Sequence, residues 1–495
     1  MSTPVSLQHM LANAKRAARS QRREPDGEPG RSPSLPRRRG RRPALTFHGG
    51  VGTVTGTRFL VETSASRVLV DCGTFQGPAA MRRRNWSPVP DELHRLDAVV
   101  LTHPHLDHCG YLPALVAEGW RGPVFATPGA AELVPIALLD SAHQFVEDAA
   151  IANALGSSKH NPALPSFRVA DAAAVAELLR PLAFGASQEI ADGIGLEFGR
   201  SGHTLGSAWA HLRFGERSAV LCGPLGGTAH PILRPPQARP DCDTLVLTAR
   251  PDLQAPPDKH EFDRFADAIR RTAARGGSVV IPAAAVDRTE VLLMLLRLFR
   301  EDGRIPDVPV YLDSSAGLTA LAVYQRALRE RWPEVRRDPA GPLGAPTGLV
   351  ELRTRRSAGR PDGSAPSIVI AGAGMATGGR VLAHLERLLP DPRNAVLLPG
   401  HAVPGTRADQ LARHARQVKI HGRYLPVRAE VVEFGGFGIS ADAGELVAWA
   451  QEGPRPETTY LTQGEPDRER ALAKRLHADE GWCAVVPGVG ERVLL

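Results

Sequence analysis

Lysine is nearly missing from this chain. Lys15, Lys159, Lys259, Lys419 and Lys474 are five of 60 basic residues, which leaves 55 arginines. With heavy Ala, Gly and Pro usage, this is the coding bias of a GC-rich, bacterial genome, and it weakens any single arginine as a functional signal. Cysteine is scarce too. Cys72, Cys109, Cys222, Cys242 and Cys483 are odd in number and never closely spaced. That fits reduced thiols in a cytoplasm better than a disulfide framework. No run approaches eighteen apolar residues, so no transmembrane helix is expected. Residues 1–43 lack the apolar stretch of a secretory signal. Their Arg and Ala content leaves a transit peptide as an alternative, against which Glu24, Asp26 and Glu28 interrupt the segment. No internal repeat is found.

An excess of charge is also missing from most of the chain. The formal net charge is +7. Residues 1–43 hold eleven basic and three acidic residues, a net of +8, and the remainder holds 49 basic and 50 acidic. The body is thus near neutral. The basicity sits in a Pro/Gly/Ser-interrupted arm that cannot bury a core. Two readings stand for it: an arm that binds RNA phosphates without sequence preference, or a solvated tail.

What is present is concentrated in Leu101–His108, LTHPHLDH. His103, His105, Asp107 and His108 place four ligand-type side chains within six positions. The apolar, β-branched run before them reads as a buried strand. Where a strand runs out into extended chain, alternate side chains point the same way. His103 and His105 can therefore converge on one metal, while Asp107 and His108 face a second. Imidazole and carboxylate together suit zinc, and two close zincs make a hydrolytic site. A lone histidine would read as a satisfied loop residue; four so close do not.

The elements around this motif predict an α/β sandwich. Strand-like runs (Phe59–Val61, Arg67–Val70, Ala98–Leu101, Pro123–Ala126, Ala219–Leu221, Thr244–Leu247) alternate with helical stretches Ala131–Ala154 and Asp171–Leu182. From about Pro251 strand–helix repeats follow: Ser278–Pro282 before a helix Arg288–Arg300, and Val308–Leu312 before one near Leu318–Glu330. Residues 337–366, rich in Pro, Gly, Ala and Arg, predict a long loop. Ser367–Ala371 predicts a further strand.

The His-x-His-x-Asp-His motif resembles the signature of the metallo-β-lactamase fold. The ordered blocks around it resemble its β-CASP branch, whose members cut RNA or DNA. These blocks are HGGVGTVTGTRFL (48–60), VLVDCGTFQG (68–77), LTHPHLDHCGYLP (101–113), GPVFATPGAAELVPIALLDSAHQ (122–144), SGHTLGSA (201–208), IPAAAVDRTEVLL (281–293), VPVYLDSS (308–315), GMATGGRVLAHL (374–385) and DPRNAVLLPGHAVPGTRA (391–408). The likeness runs from about Ala44 to the C-terminus and is nearest to RNA-processing nucleases. It implies a metallo-β-lactamase αββα sandwich with an inserted β-CASP α/β cap. The expected boundaries are an arm at 1–43, a first sandwich segment at 44–250, a cap at 251–429 and a return segment at 430–495. No added KH or similar RNA-binding module is expected.

The resemblance also implies roles. Asp71 would orient the ligand histidines. His103, His105 and His203 would hold the first zinc, and Asp107 and His108 would begin the second. Four other family positions are replaced. Pro224 stands where the family has the aspartate bridging both zincs. Thr248 stands for an acidic residue at the start of the cap. Ser440 stands for a histidine that helps protonate the leaving oxygen. Gln463 stands for a histidine ligand of the second zinc. Without these, about one zinc is expected, and a serine has the wrong pKa for general acid work. His230, His401 and Asp243 are the possible substitutes, each read first as an ordinary loop residue.

Three functions follow as expectations. The first is a cytoplasmic RNA-processing protein with impaired catalysis, with RNA and an active β-CASP paralogue or a second copy of itself as partners. The second is an active one-zinc hydrolase with Asp107 as base. The third is a non-enzymatic metal-binding module.

Overall fold

The computed structural model describes residues 42–249, 259–337, 349–351, 365–400, 402–435, 437 and 439–495. The arm, apart from its last two residues, lies outside these. Strands run in chain order as β1 (Ala44–Gly49), β2 (Arg58–Glu62), β3 (Arg67–Val70), β4 (Ala98–Val100), β5 (Val124–Ala126), β6 (Leu179–Pro181), β7 (Ser187–Ala191), β8 (Ile194–Arg200), β9 (Ala208–Phe214), β10 (Arg217–Cys222) and β11 (Thr244–Thr248). Then come β12 (Val279–Pro282), β13 (Val310–Asp313), β14 (Leu349–Glu351), β15 (Ile368–Ala371), β16 (Ala395–Pro399), a hairpin of β17 (Gln417–Ile420) and β18 (Arg423–Pro426), and β19 (Glu430–Phe434). The chain closes with β20 (Thr458–Thr462), β21 (Ala484–Val485) and β22 (Arg492–Leu494).

Two seven-stranded sheets, β22-β1-β2-β3-β4-β5-β6 and β21-β20-β11-β10-β9-β8-β7, form the sandwich. Strand alternation decides its layers. In β3, Val68 and Val70 join Phe47, Phe59, Phe198 and Leu212 between the sheets. Leu69, one position over, joins the helix-side core with Leu112, Val134 and Leu138. A separate core under the helices Ala443–Gln451 and Pro466–Glu480 covers the outer face of the second sheet. This is the αββα order.

The cap is a six-stranded sheet, β14-β13-β15-β12-β16-β19, parallel throughout. Parallel sheets need both faces covered. Helices Lys259–Ala274, Arg288–Glu301 and Ser315–Glu330 bury one face, and Val381–Leu388 and Arg407–Ala412 bury the other.

Three local expectations change. The helix expected at Asp171–Leu182 ends at Leu178, because Leu179–Pro181 pairs in parallel with β5. The stretch expected as one long loop contributes β14, which pairs with β13. The strand Glu430–Phe434, expected to open the return segment, pairs with β16 and lies in the cap sheet.

Candidate metal centre

Asp71 follows β3, and the Thr102–His105 loop follows the neighbouring β4, so the parallel pairing sets them side by side. Asp71 has φ 60°, a conformation rare outside glycine. This aims its carboxylate under the loop. It accepts from the Thr102 amide at 2.8 Å, from the Thr102 hydroxyl at 2.8 Å and from His108 Nδ1 at 2.6 Å. The Thr102 hydroxyl proton goes to Asp71, so His103 Nδ1, 3.1 Å from Thr102 Oγ1, is the donor there. Both His103 and His108 are thereby held with Nε2 as the lone-pair nitrogen, the form a metal needs. Asp71 thus stands directly behind His108 and reaches His103 through Thr102.

His103, His105 and His203 come together. One ring nitrogen from each lies within 4.8 Å of the others. Their ring centroids are 4.9, 5.6 and 5.4 Å apart, with planes crossed at 78–82°. His203 is carried by the Ser201–Ser207 loop, whose Ser207 hydroxyl oxygen accepts from the amides of His203 and Thr204, both at 2.9 Å. This loop is pressed against Gly226, where a Cβ would come 1.8 Å from the Gly202 carbonyl oxygen. A second group, His103, Asp107 and His108, has ligand atoms within the same 4.8 Å limit. His108 Nε2 stands 3.6 Å from Asp107 Oδ2, beyond hydrogen-bond reach.

Each of the four replaced positions has its own place in the fold. Pro224 is buried in the turn after β10. Thr248 is buried and donates to the Cys222 carbonyl at 3.0 Å. Ser440 forms a backbone bridge with Gly226. Gln463 is fully buried at φ 58°, and its amide donates to the Gly50 carbonyl at 2.6 Å. Among the described residues, neither end of its carboxamide is hydrogen-bonded. Among the described residues, neither His230 nor Asp243 joins the ligands. His230 Nδ1 accepts from the amides of Ile232 and Leu233, and Nε2 faces Asp287 at 3.3 Å. Asp243 accepts from the Ser218 amide and pairs with Arg217. His401 lies outside the described residues.

A cavity of about 270 Å³ opens over the histidines between sandwich and cap. His105, Asp107 and His203 form its floor, and Asp287 and the Gly372–Met375 loop line the cap side. Two lining residues carry no signal in the sequence. Asp140, on the helix Pro128–Leu155, accepts from Gln144 Nε2 at 2.6 Å. Burial pushes its carboxyl up against the opposing pull of Arg380. Asp287 sits at φ 70° and accepts from the Tyr324 hydroxyl at 2.7 Å.

Residues 52–282 match the metallo-β-lactamase superfamily, 289–411 the Beta-Casp domain, and 424–487 the Zn-dependent metallo-hydrolase RNA specificity domain. A ribonuclease of Thermus thermophilus is 34% identical over 435 residues, covering 86% of this chain and 94% of that protein. This chain is a β-CASP protein of the metallo-β-lactamase superfamily. Transcription termination factor FttA of Pyrococcus horikoshii is 30% identical over 470 residues, 90% of this β-CASP chain and 69% of the factor. An RNase J-like protein of Methanocaldococcus jannaschii is 27% identical over 425 residues, 85% and 92% of the two chains. The family is one of metal-dependent RNA-processing nucleases. The histidine triangle fits such a metal: its donors are all nitrogen, in the number a catalytic zinc takes from protein.

Proposed function

We propose that this β-CASP protein binds and processes RNA in the cytoplasm around a single zinc, with catalysis impaired at the second metal position. One observation carries the reading: Pro224, Thr248, Ser440 and Gln463 offer neither a bridging carboxylate nor an imidazole, and His230 and Asp243 are committed elsewhere. His103, His105 and His203 are the ligands assigned to the zinc, which when bound supplies Lewis acidity to a phosphoryl oxygen. Asp71 and Thr102 fix the tautomers of His103 and His108. Asp107, buried beside His108, is the carboxylate available to take a proton from an attacking water. No residue at 440 can return one to the leaving oxygen.

RNA as substrate class is supported by the RNA specificity domain match and the RNA-processing relatives. The partners are an active β-CASP paralogue, which would supply full turnover, or a second copy of this chain. The cytoplasmic reading rests on five unpaired cysteines, four of them buried. No helix among the described residues is long and apolar enough to cross a membrane. We also assign 44–250 and 430–495 to the sandwich and 251–429 to the cap, with the last strand Glu430–Phe434 shared into the cap sheet.

A second reading, an active one-zinc hydrolase with Asp107 as base, is favoured by the intact histidine triangle and its Asp71 support. The two readings separate in one experiment. Pro224→Asp, Ser440→His and Gln463→His are introduced singly and together, and zinc content and cleavage of single-stranded RNA are measured. The combined variant is expected to gain a second zinc and activity while single variants do little, since losses within one catalytic unit do not add. Full activity in the unaltered protein would overturn the impaired reading.

A further inference from the structure

The segment that leaves the cavity after Gln76 carries an exposed aromatic ring and two exposed cations that the reading above leaves without a role. Gln76 and Val403 both line the cavity. Gly77 follows Gln76, and a Cβ there would meet Val403 Cγ1 at 3.5 Å, so the chain leaves the cavity at its edge. It then turns through a helix, Ala79–Arg83, and a 3-10 turn, Arg84–Trp86, that buries no residue. Trp86 is 57% exposed, the one exposed tryptophan among the described residues. Its ring is the one large apolar side chain that this turn presents to solvent.

The charges around it are sorted. Arg84 is tied down, stacked on Phe75 at 3.9 Å and donating to the His48 carbonyl. Arg82 and Arg83 are exposed, and Arg82 Nη1 also donates to the Gly77 carbonyl at 3.2 Å. Arg83 and Trp86 are three residues apart, one turn, and share a side. Arg407 comes to the same edge from the cap, donating to the carbonyls of Ala376, Thr377 and Lys419. Burial first, then the nearby Arg82 guanidinium, lower its pKa, with Asp148 opposing. Arg82, anchored on the Gly77 carbonyl, and Arg407, anchored on those of Ala376 and Thr377, thus bring guanidinium groups to this edge from both sides. On a chain whose body is near neutral, a local excess of this kind suits a polyanion.

We propose that single-stranded RNA leaves the cavity over this lip, with its phosphates against Arg82 and Arg83 and one base stacked on Trp86. The proposal rests on the RNA reading of the preceding section and adds the path. Base–aromatic stacking is sequence-tolerant, so the lip would hold RNA without selecting it.

The test is fluorescence anisotropy of a labelled oligouridine titrated with the full-length protein over a range of salt. Trp86→Ala is expected to weaken binding by ~5- to 100-fold, the range of one lost base stack. Trp86→Phe, which keeps a ring, should restore most of it. The double variant Arg82→Gln/Arg83→Gln should lower the salt slope by about 1.4, or 0.7 per phosphate contact on a single strand. Thermal unfolding of each variant should match the parent, because these side chains are exposed. If the parent binds and all variants bind equally with the same slope, the lip is not the path. If the parent itself fails to bind, the RNA reading falls, and this proposal with it.

Discussion

Asp71 is the residue on which the centre turns. It is buried, sits at positive φ, and holds both a threonine hydroxyl and a histidine. His103, His105 and His203 give one ion three neutral nitrogens, whereas Asp107 and His108 lack the partners that Pro224 and Gln463 fail to provide. The protein should therefore retain at most about one zinc per chain after dialysis, measured by elemental analysis. Two retained ions would show that another group has entered the second position. Asp71→Ala should keep the fold and weaken zinc binding by about 10- to 100-fold, the usual effect of removing a ligand's orienting partner, as read by competition with a chelator. The histidine cluster was legible in the sequence because its spacing is local. Asp140 and Asp287 were not, because they meet the site only through the packing of a 28-residue helix and of the cap.

At the scale of elements, the long, strongly patterned pieces were legible and the short ones were not. The buried strands around the motif and the cap helices announce themselves by period and composition. Leu179–Pro181 does not: Leu-Arg-Pro has no alternation to read, and only its pairing with β5 makes it a strand. Leu349–Glu351 is equally short and lies among Pro and Gly. Glu430–Phe434 is placed in the sequence only by its position at the start of the return segment, whereas its sheet is decided by the neighbour β16. The helix Pro466–Glu480 carries its own testable strain. Glu469 is buried, accepts from the Gly464 amide at 3.0 Å, and burial raises its carboxyl to about 7. A carboxyl raised on folding contributes stability that is full below the ordinary value of about 4.5 and is lost as pH rises through about 7. Glu469→Gln keeps the accepting oxygen and removes the charge. It should stabilise the protein at pH 8, on the order of 1 kcal/mol, and much less at pH 5, by thermal unfolding at each pH. An equal effect at both would mean that Glu469 is not held protonated by the fold.

For the whole molecule, charge and fold are divided. The arm at 1–43 carries a net +8, more than the entire net charge of +7, while the body has a cavity roofed by a second domain. Deleting the arm should leave thermal unfolding unchanged and weaken RNA binding mainly at low salt, because phosphate contacts act through counterion release. An unchanged salt slope would make it an idle tail. What the whole assembly then does depends on whether one intact metal position, under a cap, suffices for turnover.

That question has a direct measurement: the rate of single-stranded RNA cleavage by the zinc-loaded protein, beside an intact β-CASP ribonuclease at equal concentration and beside its own His103→Ala variant. A positioned proton donor alone is typically worth about a hundred- to ten-thousand-fold; Ser440 stands in its place, and Pro224 and Gln463 stand in place of the second-metal ligands. Cleavage is expected to be at least about a hundredfold slower than by the intact relative. Cleavage at the relative's rate, abolished by His103→Ala, would contradict that expectation.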